Sequence, residues 1–138
     1  MSTNCIFCKI ISGEVPSTKV YEDAEVLAFM DIGPIIKGHT LVIPKHHVDP
    51  ITNAPPGMLA RLIQVVQKIA QAQMNGLKAH GVNIMQANGA SAGQVVPHLH
   101  FHVIPRFETD GHKWNWAAKK YDSIDEMKRV AEEIKKAM

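Results

Sequence analysis

The residues of this chain best suited to chemistry are three histidines at alternate positions, His98, His100 and His102, separated by apolar Leu99 and Phe101 and followed by Val103 and Ile104. Successive side chains of a β-strand point to opposite faces. A strand over His98–Ile104 would therefore carry a row of imidazoles on one face and feed a core with the other. Imidazole changes charge and shares protons near neutral pH. Such a row serves metal binding, proton transfer or nucleophilic attack; the plain alternative is a polar, solvated strand face. Geometry restricts the metal role. Alternate strand residues lie about 6.6 Å apart and the outer pair about 13 Å apart, whereas zinc–nitrogen bonds are about 2 Å long. All three cannot hold one ion on an unbent strand, so at least one is left for other work.

The flanks narrow the chemistry. Asn88-Gly89-Ala90-Ser91-Ala92-Gly93-Gln94 is a small-residue stretch just upstream. Loops of this composition let backbone N–H groups approach an anion, although most are ordinary connections. Before a row of imidazoles, the loop suggests a phosphate held against a nucleophile. Downstream, Pro105-Arg106 closes the predicted strand, with Arg106 either assisting an anion or simply solvated. The only cysteines form Cys5-x-x-Cys8. In a reducing compartment a structural disulfide is disfavoured. A redox pair lacks thioredoxin-like surroundings, half a zinc site is the better reading, and two small buried thiols in a helix remain open.

These residues need a scaffold, and the sequence outlines one. Asn4 is positioned to cap a short helix ending near Gly13. Val20–Glu22 and Val26–Asp31 read as a hairpin around Asp23-Ala24-Glu25, and Thr40–Ile43 as a short buried strand. Pro55 and Pro56 suit the first turn of a long helix, whose Leu59, Leu62, Ile63, Val66, Ile69 and Ala70 follow helical spacing toward a core. Val82–Gln86 and His98–Ile104 complete the sheet. Ser123-Ile124-Asp125-Glu126 is a capping box. It opens a last helix with Met127, Ala131 and Ile134 on one face and Lys135 and Lys136 near its C-terminus. Strands outnumber long crossover helices, so the expected class is α+β with a largely antiparallel sheet. Trp114 and Trp116 are open to an interface or to simple packing, and His112 reads as a loop histidine.

Composition excludes other classes. A chain of 138 residues is enough for one domain with a single core. A formal charge of +2 is too small to argue for nucleic acid or an acidic membrane surface. No run approaches membrane-spanning length and Met1-Ser2-Thr3-Asn4 opens no apolar signal segment, so a cytoplasmic location is expected. The eight histidines are the compositional anomaly.

The segment from Gly93 to Ile104, GQVVPHLHFHVI, resembles the signature of the histidine triad family, in which three histidines alternate with apolar residues. Cys5–Glu14, Ala28–Ile32 and Gly38–Lys45 are similar to the corresponding stretches of its Hint-like branch, and the similarity covers most of residues 4–107. The resemblance implies a five-stranded, mainly antiparallel sheet with packed helices, one long central helix and a C-terminal helix. It also implies a single domain over 1–138 (core about 4–107, extension about 108–138) and assembly as a homodimer. The family comprises nucleotide hydrolases and transferases. By matching position, His100 is the nucleophile, forming a nucleotidyl-imidazole that water hydrolyses. His102 and backbone N–H groups near Gly93, Gln94 and Val95 stabilise phosphoryl oxygens, and His39 supports geometry or proton transfer. Asp31 meets the ribose hydroxyls, while Phe7, Ile10, Val15, Phe29, Ile32 and Leu41 form an apolar purine pocket. His47 and His98 join Cys5 and Cys8 around one structural zinc, and no organic cofactor is implied.

Two positions depart from the pattern. Val95 stands where many relatives carry Ser or Thr able to donate to the leaving group. Ala87 stands where relatives often carry Asn or Gln near phosphate, with Asn88 the neighbour that can compensate. The expected function is hydrolysis of purine nucleoside 5′-phosphoramidates to a nucleoside monophosphate. The alternatives are hydrolysis of dinucleoside polyphosphates and a zinc-stabilised nucleotide-binding adaptor with little turnover.

Overall fold

A computed structural model describes residues 4–113 and 117–138. Trp114 and Trp116 lie outside the described residues. The five strands are β1 (Lys19–Glu22), β2 (Val26–Met30), β3 (Thr40–Pro44), β4 (Gly81–Gln86) and β5 (Phe101–Arg106). They form one sheet in the order β1-β2-β3-β5-β4, with every pairing antiparallel. Three α-helices accompany it: α1 (Ile6–Ser12), α2 (Pro56–Gly76) and α3 (Ile124–Ala137).

The central strands β2 and β3 are buried on both faces, which explains their unbroken apolar runs. Val26, Ala28 and Val42 point to α2, where Leu62, Val65, Val66 and Ile69 meet them. Leu27, Phe29, Leu41 and Ile43 point the other way, onto Phe7 and Ile10 of α1. Alternation across two covered faces requires apolar residues at every position. In α2, the core-facing residues are Leu62, Val65, Val66 and Ile69. Ile63 is not among them: it is 49% exposed, because its position turns it toward the edge of the sheet rather than its face.

The histidine segment differs from an uninterrupted strand. β5 pairs with its neighbours only from Phe101 onward. Before that the backbone is held by other bonds: His98 N–H to Val96 O at 2.9 Å and Leu99 N–H to Val48 O at 2.8 Å. At its far end the strand runs through Pro105 and Arg106. The predicted sidedness survives the change. Leu99 and Val103 enter the α2 side of the core, while Phe7 of α1 lies edge-on to both His98 and His100, at 5.8 and 5.1 Å between ring centres. Arg106 is engaged within the protein: it pairs with Asp110 and donates to Asn83 Oδ1 and His112 O.

The helix ends show local chemistry. Cys5, not Asn4, is the N-cap of α1; its Sγ accepts from Cys8 N–H at 3.4 Å. The helix stops at Gly13 in a left-handed conformation. Ser123 caps α3 through Glu126 N–H, and Glu126 reaches back to Asp122 N–H. The apolar face of α3 is not covered by the described residues of the chain. No residue of α3 is buried, and Ile124, Met127, Val130 and Ile134 remain exposed.

Gly38 fixes where β3 begins. Its φ is +106°, and a Cβ there would stand 2.7 Å from Leu77 Cδ1 and 2.9 Å from Pro105 Cγ. Its carbonyl accepts from Gln73 Nε2 of α2 and from Thr40 Oγ1. Gly38→Ala is therefore expected to destabilise the protein by about 2 kcal/mol or more, through backbone strain and overpacking. Urea unfolding of the two proteins measures this, and equal midpoints would contradict it.

Candidate active site and metal cluster

Two groups of side chains gather on the α1 side of the sheet. The first joins the two ends of the chain's motif list. Cys5 and Cys8 come from the start of α1, His47 from the segment after β3, and His98 from the approach to β5. Their ligand atoms all lie within 4.8 Å of one another. His98 Nδ1 is 3.4 Å from Cys5 Sγ, 3.7 Å from Cys8 Sγ and 3.1 Å from His47 Nδ1, while Cys8 Sγ is 3.4 Å from His47 Nδ1. Zinc bonds of about 2.0–2.3 Å arranged tetrahedrally set ligand atoms roughly 3.3–3.8 Å apart. The cluster thus has the spacing of a closed four-ligand zinc site.

The ring chemistry agrees. His98 Nε2 lies 2.9 Å from Pro44 O. A carbonyl only accepts, so Nε2 carries the proton and Nδ1 presents its lone pair to the cluster. His98 is fully buried, and burial lowers its pKa to about 4. The ring is neutral, as a ligand must be.

The second group is His39, His102 and Asp31. Ile35 N–H donates to His39 Nδ1 at 3.1 Å. That leaves the ring proton on Nε2, which faces His102 Nδ1 at 2.9 Å and Asp31 Oδ2 at 3.6 Å. His102 Nδ1 must then accept, so His102 carries its proton on Nε2. The same rule that admits a metal at the first cluster disfavours one here: an ion at His39 Nε2 would force a proton onto Nδ1, against the Ile35 N–H. Burial lowers the pKa of both rings, to about 4 for His102; Asp31 pulls the other way on each. Asp31 also accepts from Gly33 N–H through Oδ1.

His100 lies between the groups. Its Nδ1 is 2.6 Å from the backbone oxygen of His98. This again fixes the tautomer: Nδ1 donates, and Nε2 keeps a lone pair. The His100 ring stands 4.9 Å from that of His102, centre to centre. The arrangement offers an oriented nucleophilic nitrogen, with a neutral imidazole beside it whose own proton sits on Nε2.

The residues expected around a nucleotide divide. Phe7, Ile10, Phe29 and Leu41 are buried in the core, with Val15 packed at its margin; they form a wall rather than an open cup. Ile32 does not join them, being fully exposed. Asn88 does not stand free for phosphate. Its Oδ1 accepts from Ile51 N–H, and its amide is engaged with Gln86. Gln94 is likewise committed, accepting from Gly89 N–H and donating to Asp49 and Val96 O. Gly93 closes a short turn in a left-handed conformation, and the Val95 side chain is 90% exposed. Side-chain reasoning missed the groups that decide the tautomers, namely Pro44 O, His98 O and Ile35 N–H. They are backbone atoms, and no residue type signals them.

A family model described as the HIT domain matches residues 12–109. The chain belongs to the histidine triad family. A crystal structure of a HIT family member from Bacillus subtilis superposes with a TM-score of 0.91 at 41% identity, covering 98% of this chain and 97% of that one. An adenosine 5′-monophosphoramidase of Candida albicans is 40% identical over 98% of this chain and 91% of its own. A zinc-bound histidine triad family protein from Mycobacterium smegmatis is 37% identical, with a TM-score of 0.78 and full coverage of both chains. No helix among the described residues is long and apolar enough to cross a membrane.

The buried imidazoles make stability depend on pH. His102 titrates near 4 in the folded protein against 6.5 when free. Between those values the unfolded chain holds the additional proton. The stability of this neutral, half-buried ring is fully present above about 6.5 and is lost as pH falls toward 4. The unfolding free energy of the metal-free, reduced protein should drop between pH 7 and 4.5, and His102→Asn should flatten part of that slope. A level profile over this range would contradict the assignment.

Proposed function

We propose that this protein is a nucleotide hydrolase that cleaves purine nucleoside 5′-phosphoramidates to a nucleoside monophosphate and an amine. The observation that carries this reading is the 2.6 Å bond from His100 Nδ1 to His98 O. It holds the ring in one orientation with Nε2 unprotonated, which is what nucleophilic attack on phosphorus requires. The naming of a 40% identical relative as an adenosine 5′-monophosphoramidase supports the substrate class.

In this mechanism the Nε2 lone pair forms a bond to phosphorus as the bond to the leaving nitrogen breaks. That nitrogen takes up a proton and departs as the amine. His102, whose Nδ1 accepts from His39, is the imidazole that can give its Nε2 proton to the leaving nitrogen and take one back from the water that attacks next. Of the backbone N–H groups near Gly93–Val95, those of Gly93 and Gln94 already donate to Ala90 O and Gly89 O, so the Val95 N–H is the one that would serve a remaining oxygen. Water then attacks phosphorus, the bond to Nε2 breaks, and the monophosphate leaves. His100→Ala should abolish turnover of adenosine phosphoramidate while leaving monophosphate binding largely intact, measured by product assay and calorimetry. Near-normal turnover in the variant would refute the nucleophile.

Cys5, Cys8, His47 and His98 would hold one zinc per chain. With four protein ligands the ion supplies a crosslink and keeps no open position for substrate. Elemental analysis should give one zinc per chain in the native protein and a clear loss in Cys5→Ser. A metal-free native protein, or unchanged content in the variant, would remove this site.

Asp31 would read the ribose. An ionised carboxylate accepts from both hydroxyls, and removing one leaves an acceptor unpaired at about 1–3 kcal/mol. Ribonucleoside substrates should therefore exceed 2′-deoxy analogues in kcat/KM. Adenosine and guanosine should differ less, since the wall of Phe7, Ile10, Phe29 and Leu41 is apolar. Equal values for the two sugars would contradict this assignment. We also read the chain as a homodimer, because β4 is an edge strand with Ile84 exposed beside exposed Ile63, and the apolar face of α3 is uncovered.

A further inference from the structure

We infer that Phe7 is a positioning residue for the nucleophile: its ring sets the pose from which His100 attacks phosphorus. This rests on the hydrolase reading above. His100 sits just outside the paired part of the sheet, since β5 pairs with its neighbours only from Phe101 onward. The ladder therefore does not fix this residue directly. Its Nδ1 bond to His98 O selects the tautomer and anchors one corner of the ring. One hydrogen bond leaves a flat side chain free to tilt, because the torsion that turns an imidazole is broad. Two neighbouring rings remove that freedom. The Phe7 ring lies 5.1 Å from that of His100, centre to centre, with the planes at 86°, and the His102 ring lies 4.9 Å away at 65°.

Phe7 can hold a neighbour because it is itself held. It is buried, packs edge-on against Phe29 at 5.5 Å and His98 at 5.8 Å, and shares a cluster with Leu27, Leu41 and Ile43. Its helix is fastened on both sides of it. Cys5, the N-cap of α1, lies against His98, and Cys8, the residue after Phe7, lies against His47. One segment thus reaches the metal cluster through its cysteines and the reacting ring through Phe7. A wall residue that only met the base would act on nucleotide binding. A residue that holds His100 acts on the rate of attack, because alignment of the reacting atoms counts there and not in the ground state. Leucine in place of Phe7 keeps the wall apolar and removes the ring, so it separates the two roles.

The test uses the zinc-loaded full chain carrying Phe7→Leu, with Leu27→Val as a comparison that thins the same cluster outside the site. Each protein is mixed with excess adenosine phosphoramidate and quenched within one turnover. The rate of adenylyl transfer to His100 is measured together with KM, calorimetric affinity for adenosine monophosphate, and zinc content. Phe7→Leu should slow the transfer by about tenfold, with the other three values within about twofold of native, and Leu27→Val should transfer at the native rate. In nitrogen NMR of the free protein, the His100 ring, assigned against His100→Ala, should leave its single-tautomer pattern in Phe7→Leu alone. Weaker monophosphate binding with an unchanged transfer rate would overturn the inference and make Phe7 a contact of the base. Equal slowing in both variants would overturn it in favour of general packing, and slowing with loss of zinc in favour of the metal cluster. A native His100 ring spectrum in Phe7→Leu would overturn it as well. If the native protein transfers no adenylyl group to His100, the hydrolase reading itself falls, and the inference with it.

Discussion

The site depends on the way one residue, His98, is held at three points. Its Nε2–H donates to Pro44 O, its Nδ1 faces two thiols and a second imidazole, and its carbonyl accepts from His100. Each contact belongs to a different part of the chain: the end of β3, the N-terminal helix, and the entry to β5. A shift of His98 would therefore reach the metal cluster and the reacting ring together. Burial raises the stakes, because a buried imidazole without its partners carries an unsatisfied polar group. The same burial keeps the ring neutral, which serves both the ligand role and the bond to Pro44.

The two sides of His100 follow one rule, that a backbone group decides a ring's protonation. Pro44 O and His98 O force protons onto the nitrogens facing them, and Ile35 N–H forces one away. The result is a division of labour among chemically identical side chains. His98 presents a lone pair to the cluster, His100 presents one through Nε2, and His102 retains a proton on Nε2. The sheet makes this possible because its centre is covered on both faces, so the histidine backbone is fixed by Leu99 and Val103 in the opposite core.

Much of this was legible in the sequence, and what was not has a physical reason. Alternating imidazoles and apolar residues predicted the sidedness correctly, since it follows from backbone geometry. They did not predict that strand pairing begins at Phe101, because pairing depends on where β3 and β4 end. The apolar character of Phe7, Phe29 and Leu41 was clear, but composition cannot separate a pocket wall from a core, and it does not show that Ile32 stands exposed, apart from that group. Asn88 and Gln94 carry polar side chains, yet both are engaged within the protein, Asn88 with Ile51 and Gln86 and Gln94 with Gly89, Val96 and Asp49. The amphipathic stripe of α3 was legible as a stripe, while what covers it was not, because periodicity states which face is apolar and never its partner.

The most direct test of the account is to trap the intermediate. Native protein mixed with excess adenosine phosphoramidate should be quenched within one turnover under basic conditions and mapped by peptide mass spectrometry. The account predicts one adenylyl group on the peptide that contains His100, located on that ring, together with retention of configuration at phosphorus over the full reaction. An unmodified protein combined with inversion at phosphorus would mean that water attacks directly, and would contradict the role assigned to His100 and to the bond that orients it.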